Sequence, residues 1–226
     1  MKKAVSAMGF RLILCVLLLV AVLLGVPAAL AQAQSVVDKT PEPYANFPRE
    51  VSQAEIDLRL EYVNTAKSWL GAKEADGSHR PIIDIYNSHY PLALGYLVTY
   101  TDSWCAAYVS AISIECGLTD IIPTECGCDR QIKLFQALDS WEEADDYVPL
   151  PGDLIYYVWK PLEGVEDCNQ ATDHVGIIVG VAGDQLIVIE GNCADAVRCR
   201  VVSINDPVIR GFAIPDYAGY LEEQRA

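Results

Sequence analysis

Between residues 154 and 215 the chain carries five short runs of β-branched and aromatic residues, and they dictate much of what it can fold into. The runs are "LIYYVW" (154–159), "HVGIIVGV" (174–181), "QLIVIEG" (185–191), "VRCRVVSI" (197–204) and "IRGFAIP" (209–215). Each has the length and composition of a strand. Turn residues separate them: Pro151-Gly152-Asp153, Gly183-Asp184 and Asn205-Asp206-Pro207. The earlier half reads differently. "SQAE" (52–55) has the form of a capping box, Ile56, Leu60, Val63 and Leu70 recur at helical spacing, and Gly71 can end that helix. "IIDIYNSHYPLALGYLVTY" predicts a short helix or strand up to Asn87, then a loop at Pro91. A third segment, capped by Ser103 or Asp102, runs to Cys116 and stops at Gly117. Its Ala, Val, Ile and Tyr content predicts a helix buried on most sides. A further short helix is expected at about 130–139, and "WEEADD" reads as a solvated turn. Helices followed by an antiparallel sheet of about five strands make an α+β fold, with the helices packed on the sheet.

The first residues stand apart. Lys2, Lys3 and Arg11 precede an apolar run from Leu12 to about Val26, and small residues follow Pro27. This is the pattern of a cleaved signal peptide, expected over 1–33, with a proline-bearing linker over 34–51 and one domain over 52–226. Retained, the same run would be the chain's only membrane contact. The formal net charge of −15 becomes about −18 once the three basic residues of the leader are removed. A surface this acidic repels nucleic acid, so no nucleic-acid partner is expected.

Cysteine usage narrows the chemistry. Of eight cysteines, Cys15 leaves with the leader; Cys105, Cys116, Cys126, Cys128, Cys168, Cys193 and Cys199 remain. An exported chain can form disulfides, and Cys193–Cys199 would close a short loop. An odd number leaves at least one thiol free. Cys105, in "TDSWCAAYVSA", sits where a helix begins. Helix N-termini present unpaired N–H groups and a partial positive charge. That lowers a thiol pKa and favours the nucleophilic thiolate, although a buried structural cysteine fits the position equally well.

A thiolate nucleophile needs a general base, and the chain has three histidines. His79, in "DGSHRP", reads as a surface residue, and His89, in "NSHYP", as a structural loop residue. His174 opens the apolar strand "HVGIIVGV" and so lies at a sheet end. A hairpin centred on Gly183 places Asn192 opposite His174, with Glu190 on the same face two residues away. Either could orient the imidazole. "ECGC" spaces its thiols as C-x-C rather than as the C-x-x-C of structural zinc sites, and no glycine-rich phosphate loop precedes a helix. Neither a metal nor a cofactor is expected.

Four stretches, taken in order, resemble the CHAP family of cysteine- and histidine-dependent amidohydrolases and peptidases, and the neighbouring NlpC-type peptidases. They are "D-x-W-C-A-A-Y-V" (Asp102, then Trp104 to Val109), "P-G-D-L-I-Y-Y" (151–157), "D-H-V-G-I-I" (173–178) and "E-G-N" (190–192). The resemblance spans about 52–217 and is firmest from 100 to 192. It implies a papain-like α+β fold with Cys105 as nucleophile, His174 as base and Glu190 or Asn192 as the orienting group. It also implies a peptidoglycan or peptide substrate cut at an amide bond. The chain departs from the family pattern in showing no wall-binding module and in its extra cysteines at 116, 168, 193 and 199.

Overall fold

The computed structural model describes residues 51–144, 146–159 and 171–225. The expected signal peptide, all of the linker but Val51, and Cys168 lie outside the described residues. Among those described, five α-helices precede, flank and follow one antiparallel sheet, an α+β arrangement. No helix among them is long and apolar enough to cross a membrane.

Helix α1 spans Gln53–Ser68 and begins as the capping box predicts: the Ser52 hydroxyl accepts the Glu55 N–H at 3.2 Å. Its buried face is not the expected one. Glu55, Arg59, Tyr62, Val63 and Ala66 are buried, at helical spacing, while Ile56 and Leu60 are only half-buried. The reason is Arg59. Its guanidinium pairs with Glu55 and Asp153, each at 2.8 Å, and donates to the Pro151 carbonyl at 3.1 Å. A charge so well partnered can sit inside, and it turns the helix to bring it there.

Helix α2 (Arg80–Ser88) resolves the ambiguous apolar stretch as helix, with Pro81 in its first turn, where a missing N–H costs nothing. Helix α3 (Cys105–Glu115) is buried from Cys105 to Ser113, as its composition predicts. Helix α4 (Cys128–Ala137) starts two residues before the expected segment, and helix α5 (Tyr217–Glu223) was not foreseen. Asp216 caps α5 by accepting the Gly219 N–H at 2.9 Å.

Six strands, not about five, form the sheet, in the order β1-β6-β2-β3-β4-β5. They are β1 (Trp141–Glu142), β2 (Leu154–Tyr157), β3 (His174–Ala182), β4 (Gln185–Glu190), β5 (Arg198–Ser203) and β6 (Ile209–Ala213). The additional strand is β1, inside the stretch expected to be a solvated turn. Trp141 pairs with Ala213 and Glu142 with Phe212. Acidic residues hide so short an edge strand from a composition argument. β2 is buried along its whole length and β3 from His174 to Gly180, since both lie inside the sheet. One apolar cluster gathers Ile155, Tyr157, Ile178, Leu186, Val188 and Phe212.

Candidate active site

The approach to Cys105 is a loop held by its own side chains. Asn87 brackets Val98, donating to its carbonyl at 2.8 Å and accepting its N–H at 3.0 Å. The Asp102 carboxylate accepts the Thr99 N–H at 2.7 Å and the Tyr96 hydroxyl at 2.8 Å. It therefore ties the loop and does not cap α3. The residue at the cap is Trp104, whose carbonyl accepts the Tyr108 N–H at 2.8 Å; no side chain caps the helix. Neither Ser103 nor Asp102 takes the expected role. The Trp104 indole is wholly buried, donates to Glu74 at 2.9 Å, and lies 5.6 Å from the His79 ring. Cys105 is then the first helical residue. The N–H groups of Cys105, Ala106 and Ala107 have no acceptor within the helix, and that of Ala106 favours the anionic form of the Cys105 sulfur.

The hairpin β3–β4 brings up the other side. Next to the turn, Ala182 pairs with Gln185 and Gly180 with Ile187, which centres the hairpin between Gly183 and Asp184. A bulge at Val179 inserts one extra residue, and beyond it Ile178 pairs with Val188 and Ile177 with Ile189. That second register is the one centred on Gly183. It puts Glu190 on the His174 face, with the His174 Nε2 to Glu190 Oε2 distance at 3.4 Å. Two glycines make this approach feasible. A Cβ on Gly176 would come within 2.8 Å of Glu190 Cγ and overlap Val188. A Cβ on Gly191 would meet Tyr108 Cγ at 2.6 Å and Trp104 at 3.0 Å. The end of β4 thus lies directly against the first turn of α3.

With Nε2 turned to Glu190, Nδ1 is the ring nitrogen left for sulfur, and the Cys105 and His174 side chains lie close enough for each to shift the other's pKa. On the far side of Glu190, Arg200 donates Nε–H to Oε1 at 3.0 Å, with Nη2 2.8 Å from the same oxygen. The guanidinium stacks over Tyr157 and Trp159, at 4.6 and 4.2 Å. His174 lies beside the same two rings, at 6.0 and 5.1 Å. A second thiol completes the group: Cys128, at the start of α4, lies 3.7 Å from Cys105, sulfur to sulfur.

These neighbours set the charges. The hydrogen bond from Cys128 and the His174 imidazolium hold the Cys105 thiol well below its ordinary pKa, against the opposing effect of burial. Burial disfavours the His174 cation, but the Cys105 and Glu190 anions outweigh it and raise that pKa to about 9. Burial likewise opposes the Glu190 anion, and His174 and Arg200 overcome it, keeping the carboxyl below its usual range. The other shifted thiols move the opposite way. Cys128 is pushed up by its bond to Cys105 and by burial, Cys116 by burial, and Cys193 and Cys199 to about 11 by burial and the Glu190 charge. Of the shifted thiols, Cys105 alone moves toward its thiolate.

Of the four residues picked from sequence, Cys105, His174 and Glu190 come together. The partner the structure sets beside the His174 ring is Glu190; Asn192 lies past the end of β4, in the following turn, with a left-handed φ of 56°. His79 is buried rather than on the surface, its ring nitrogens 3.2 and 2.9 Å from the Lys73 and Tyr100 carbonyl oxygens. The expected Cys193–Cys199 bridge is not formed; all six described cysteines are thiols. The C-x-C pair diverges, Cys126 toward Arg130 and Cys128 toward Cys105. Among the described residues, no group of three or more His, Cys, Asp or Glu side chains is placed to hold a metal ion. Sequence reasoning missed Cys128 and Arg200. The one available signal was the alternation of Arg198 and Arg200 in a strand that pairs with "QLIVIE".

No protein-family model matches the chain, and no curated protein matches it by sequence. Among solved structures it is similar to the crystal structure of Ly7917, with 14% identity and a TM-score of 0.41, and to Ly7917 with the hydrolyzing product of MDP, with 15% identity and a TM-score of 0.38. In both cases the match covers 70% of this chain and 62% of the other. Likeness this remote assigns no family.

Proposed function

We propose that the protein is an exported cysteine hydrolase that cleaves amide bonds in peptidoglycan. The observation that carries the catalytic part is the line Cys105–His174–Glu190: an anionic thiol at a helix start, an imidazole with a raised pKa, and a buried carboxylate behind it. The peptidoglycan substrate is drawn from the resemblance to the CHAP family, and export from the leader-like first 33 residues.

In the reaction, the Cys105 thiolate attacks the amide carbonyl. The Cys105 N–H, unpaired within the helix, faces the oxyanion of the tetrahedral intermediate. His174, already protonated by the thiol, gives its proton to the departing amine and an acyl-enzyme remains. Water then attacks the thioester, His174 takes its proton, and the thiolate leaves. Glu190 holds the ring with Nδ1 toward sulfur and stabilises the imidazolium, and Arg200 keeps Glu190 ionised and in place. A cavity of about 360 Å³ lies beside the two helix starts, between Tyr96, Val98, Ser103, Gly127 and Arg130; neither Cys105 nor His174 lines it.

The test compares the wild-type protein with Cys105→Ala on purified peptidoglycan, with released ends identified by mass spectrometry. Release by the wild type alone is expected. New muramic-acid ends would define an amidase, and new peptide ends an endopeptidase. Equal release by both proteins would refute the role of Cys105. No release by either, with Cys105 still selectively alkylated, would refute the substrate.

A further inference from the structure

The contact between Cys105 and Cys128 has no part in amide hydrolysis beyond one hydrogen bond, yet it places two thiols in an unusual relation. Cys128 is the first residue of α4 as Cys105 is of α3, so two helix N-termini converge on a single pair of sulfurs. Both residues are nearly buried, at 5% and 7% exposure, and the sulfurs are 3.7 Å apart. A disulfide needs about 2.0 Å, so the two sulfurs must approach each other by roughly a further 1.7 Å. No other pair of described cysteines has its sulfurs in contact. Cys116 bonds to Thr65 at 3.4 Å, and Cys126 lies against Arg130 at 3.5 Å.

We propose that Cys105 and Cys128 form a redox-active dithiol, in which Cys128 captures the oxidised nucleophile as a reversible Cys105–Cys128 disulfide. The oxidant is a small hydroperoxide. The Cys105 thiolate attacks the distal peroxide oxygen, the O–O bond breaks, Cys105 becomes a sulfenic acid, and the expelled alkoxide or hydroxide takes the His174 proton and departs as an alcohol or water. The Cys128 sulfur then attacks the sulfenic sulfur, its thiol proton leaves with the hydroxide as water, and the S–S bond forms. The two thiols lose two electrons together and the peroxide gains them.

The first step prepares the second. While Cys105 is an anion, its charge and hydrogen bond keep Cys128 protonated. Sulfenic acid formation removes that anion, and Cys128 is left at a helix N-terminus that favours its thiolate. Capture also protects the nucleophile, because a sulfenic acid without a neighbouring thiol oxidises on to sulfinic acid, which ordinary thiols do not reduce. The closed pair has no free nucleophile, so oxidation switches the site off and a dithiol reductant restores it.

The test uses the full reduced chain, stepwise hydrogen peroxide, alkylation, and digestion without reduction by a protease that cuts after glutamate. Cuts after Glu115 and Glu125 separate the two cysteines, and tandem mass spectrometry distinguishes Cys128 from Cys126. The expected product is a Cys105–Cys128 cross-linked peptide, two hydrogens lighter than its parts and cleaved by dithiothreitol. Cys128→Ser should lose the cross-link and accumulate sulfinic acid at Cys105, and Cys126→Ser should behave as wild type. A wild-type chain that goes to Cys105 sulfinic acid without a cross-link, or that links Cys105 to Cys126, overturns the proposal. Should Cys128→Ser fold poorly by near-ultraviolet circular dichroism, the wild-type and Cys126→Ser maps decide alone. The mapping needs no turnover, so its outcome is independent of whether peptidoglycan is the substrate.

Discussion

Cys105 and His174 stabilise each other's charged forms, which gives the site a defined pH window. The pair is ionic above the depressed thiol pKa and below the imidazole value of about 9. Rising pH through about 9 removes the imidazolium, and with it the acid that protonates the leaving amine. We expect kcat/KM to fall on an alkaline limb near that pH. The same shift bears on stability. The folded His174 pKa exceeds its unfolded value of about 6.5, so the ionic contribution is complete below that pH and is lost as pH rises through about 9. Glu190→Gln removes one of the two anions that raise His174, and should move the alkaline limb to lower pH. Asn192→Ala should leave the limb in place; a shift as large as that of Glu190→Gln would contradict the geometry. His174→Ala should cost roughly 10²- to 10⁴-fold in kcat/KM, measured at the wild-type optimum. The grouping of Cys105, His174 and Glu190 was legible in the sequence because the chain has only three histidines and one of them opens a strand. The choice between Glu190 and Asn192 was not, since it depends on where β4 stops. Cys128 was also hidden, since its contact with Cys105 arises only when the starts of α3 and α4 meet in the fold.

At the scale of elements, the site depends on how closely one strand end can approach one helix. Gly191 sits where any side chain would strike Tyr108 and Trp104 in the first turn of α3. Gly191→Ala should push β4 away from the helix and draw Glu190 and His174 from Cys105. We expect a stability loss of about 1–3 kcal/mol in urea denaturation, the usual cost of overpacking. Alkylation of Cys105 at neutral pH should slow with it. Full stability with unchanged alkylation would show that the contact does not set the site. The five long strands were readable from composition and turns, but their register was not. A hairpin centred on Gly183 is the correct register at Glu190 only because the bulge at Val179 offsets a turn centred half a residue later. The small elements, β1 and α5, escaped because two paired residues, or about two capped turns, carry too little periodicity to stand out.

For the molecule as a whole, the "PGD" stretch joins the helical half to the sheet. Asp153 is fully buried: one carboxylate oxygen pairs with Arg59 of α1, and the other accepts the Tyr147 hydroxyl and the Leu150 N–H, both at 2.7 Å. Tyr217 of α5 closes the group, its ring 4.3 Å from the Arg59 guanidinium and its hydroxyl donating to the Gly152 carbonyl at 2.8 Å. The first helix, the last helix and the entrance to β2 therefore share one buried charge cluster. Motif spacing marked Pro151-Gly152-Asp153 as a turn but could not reveal that its carboxylate is internal. Such a cluster adds little net stability over an apolar one, yet removing one partner strands the other in a medium that solvates it poorly. Asp153→Ala should therefore cost about 3–5 kcal/mol, read as a lower urea midpoint, far above the roughly 1 kcal/mol expected for a surface pair. Arg59→Met combined with Asp153→Leu should lose less than the sum of the two single changes, because each single change leaves the other member of the pair buried without it. Strict additivity in that double-mutant cycle would mean that the two halves of the fold are not coupled through this pair.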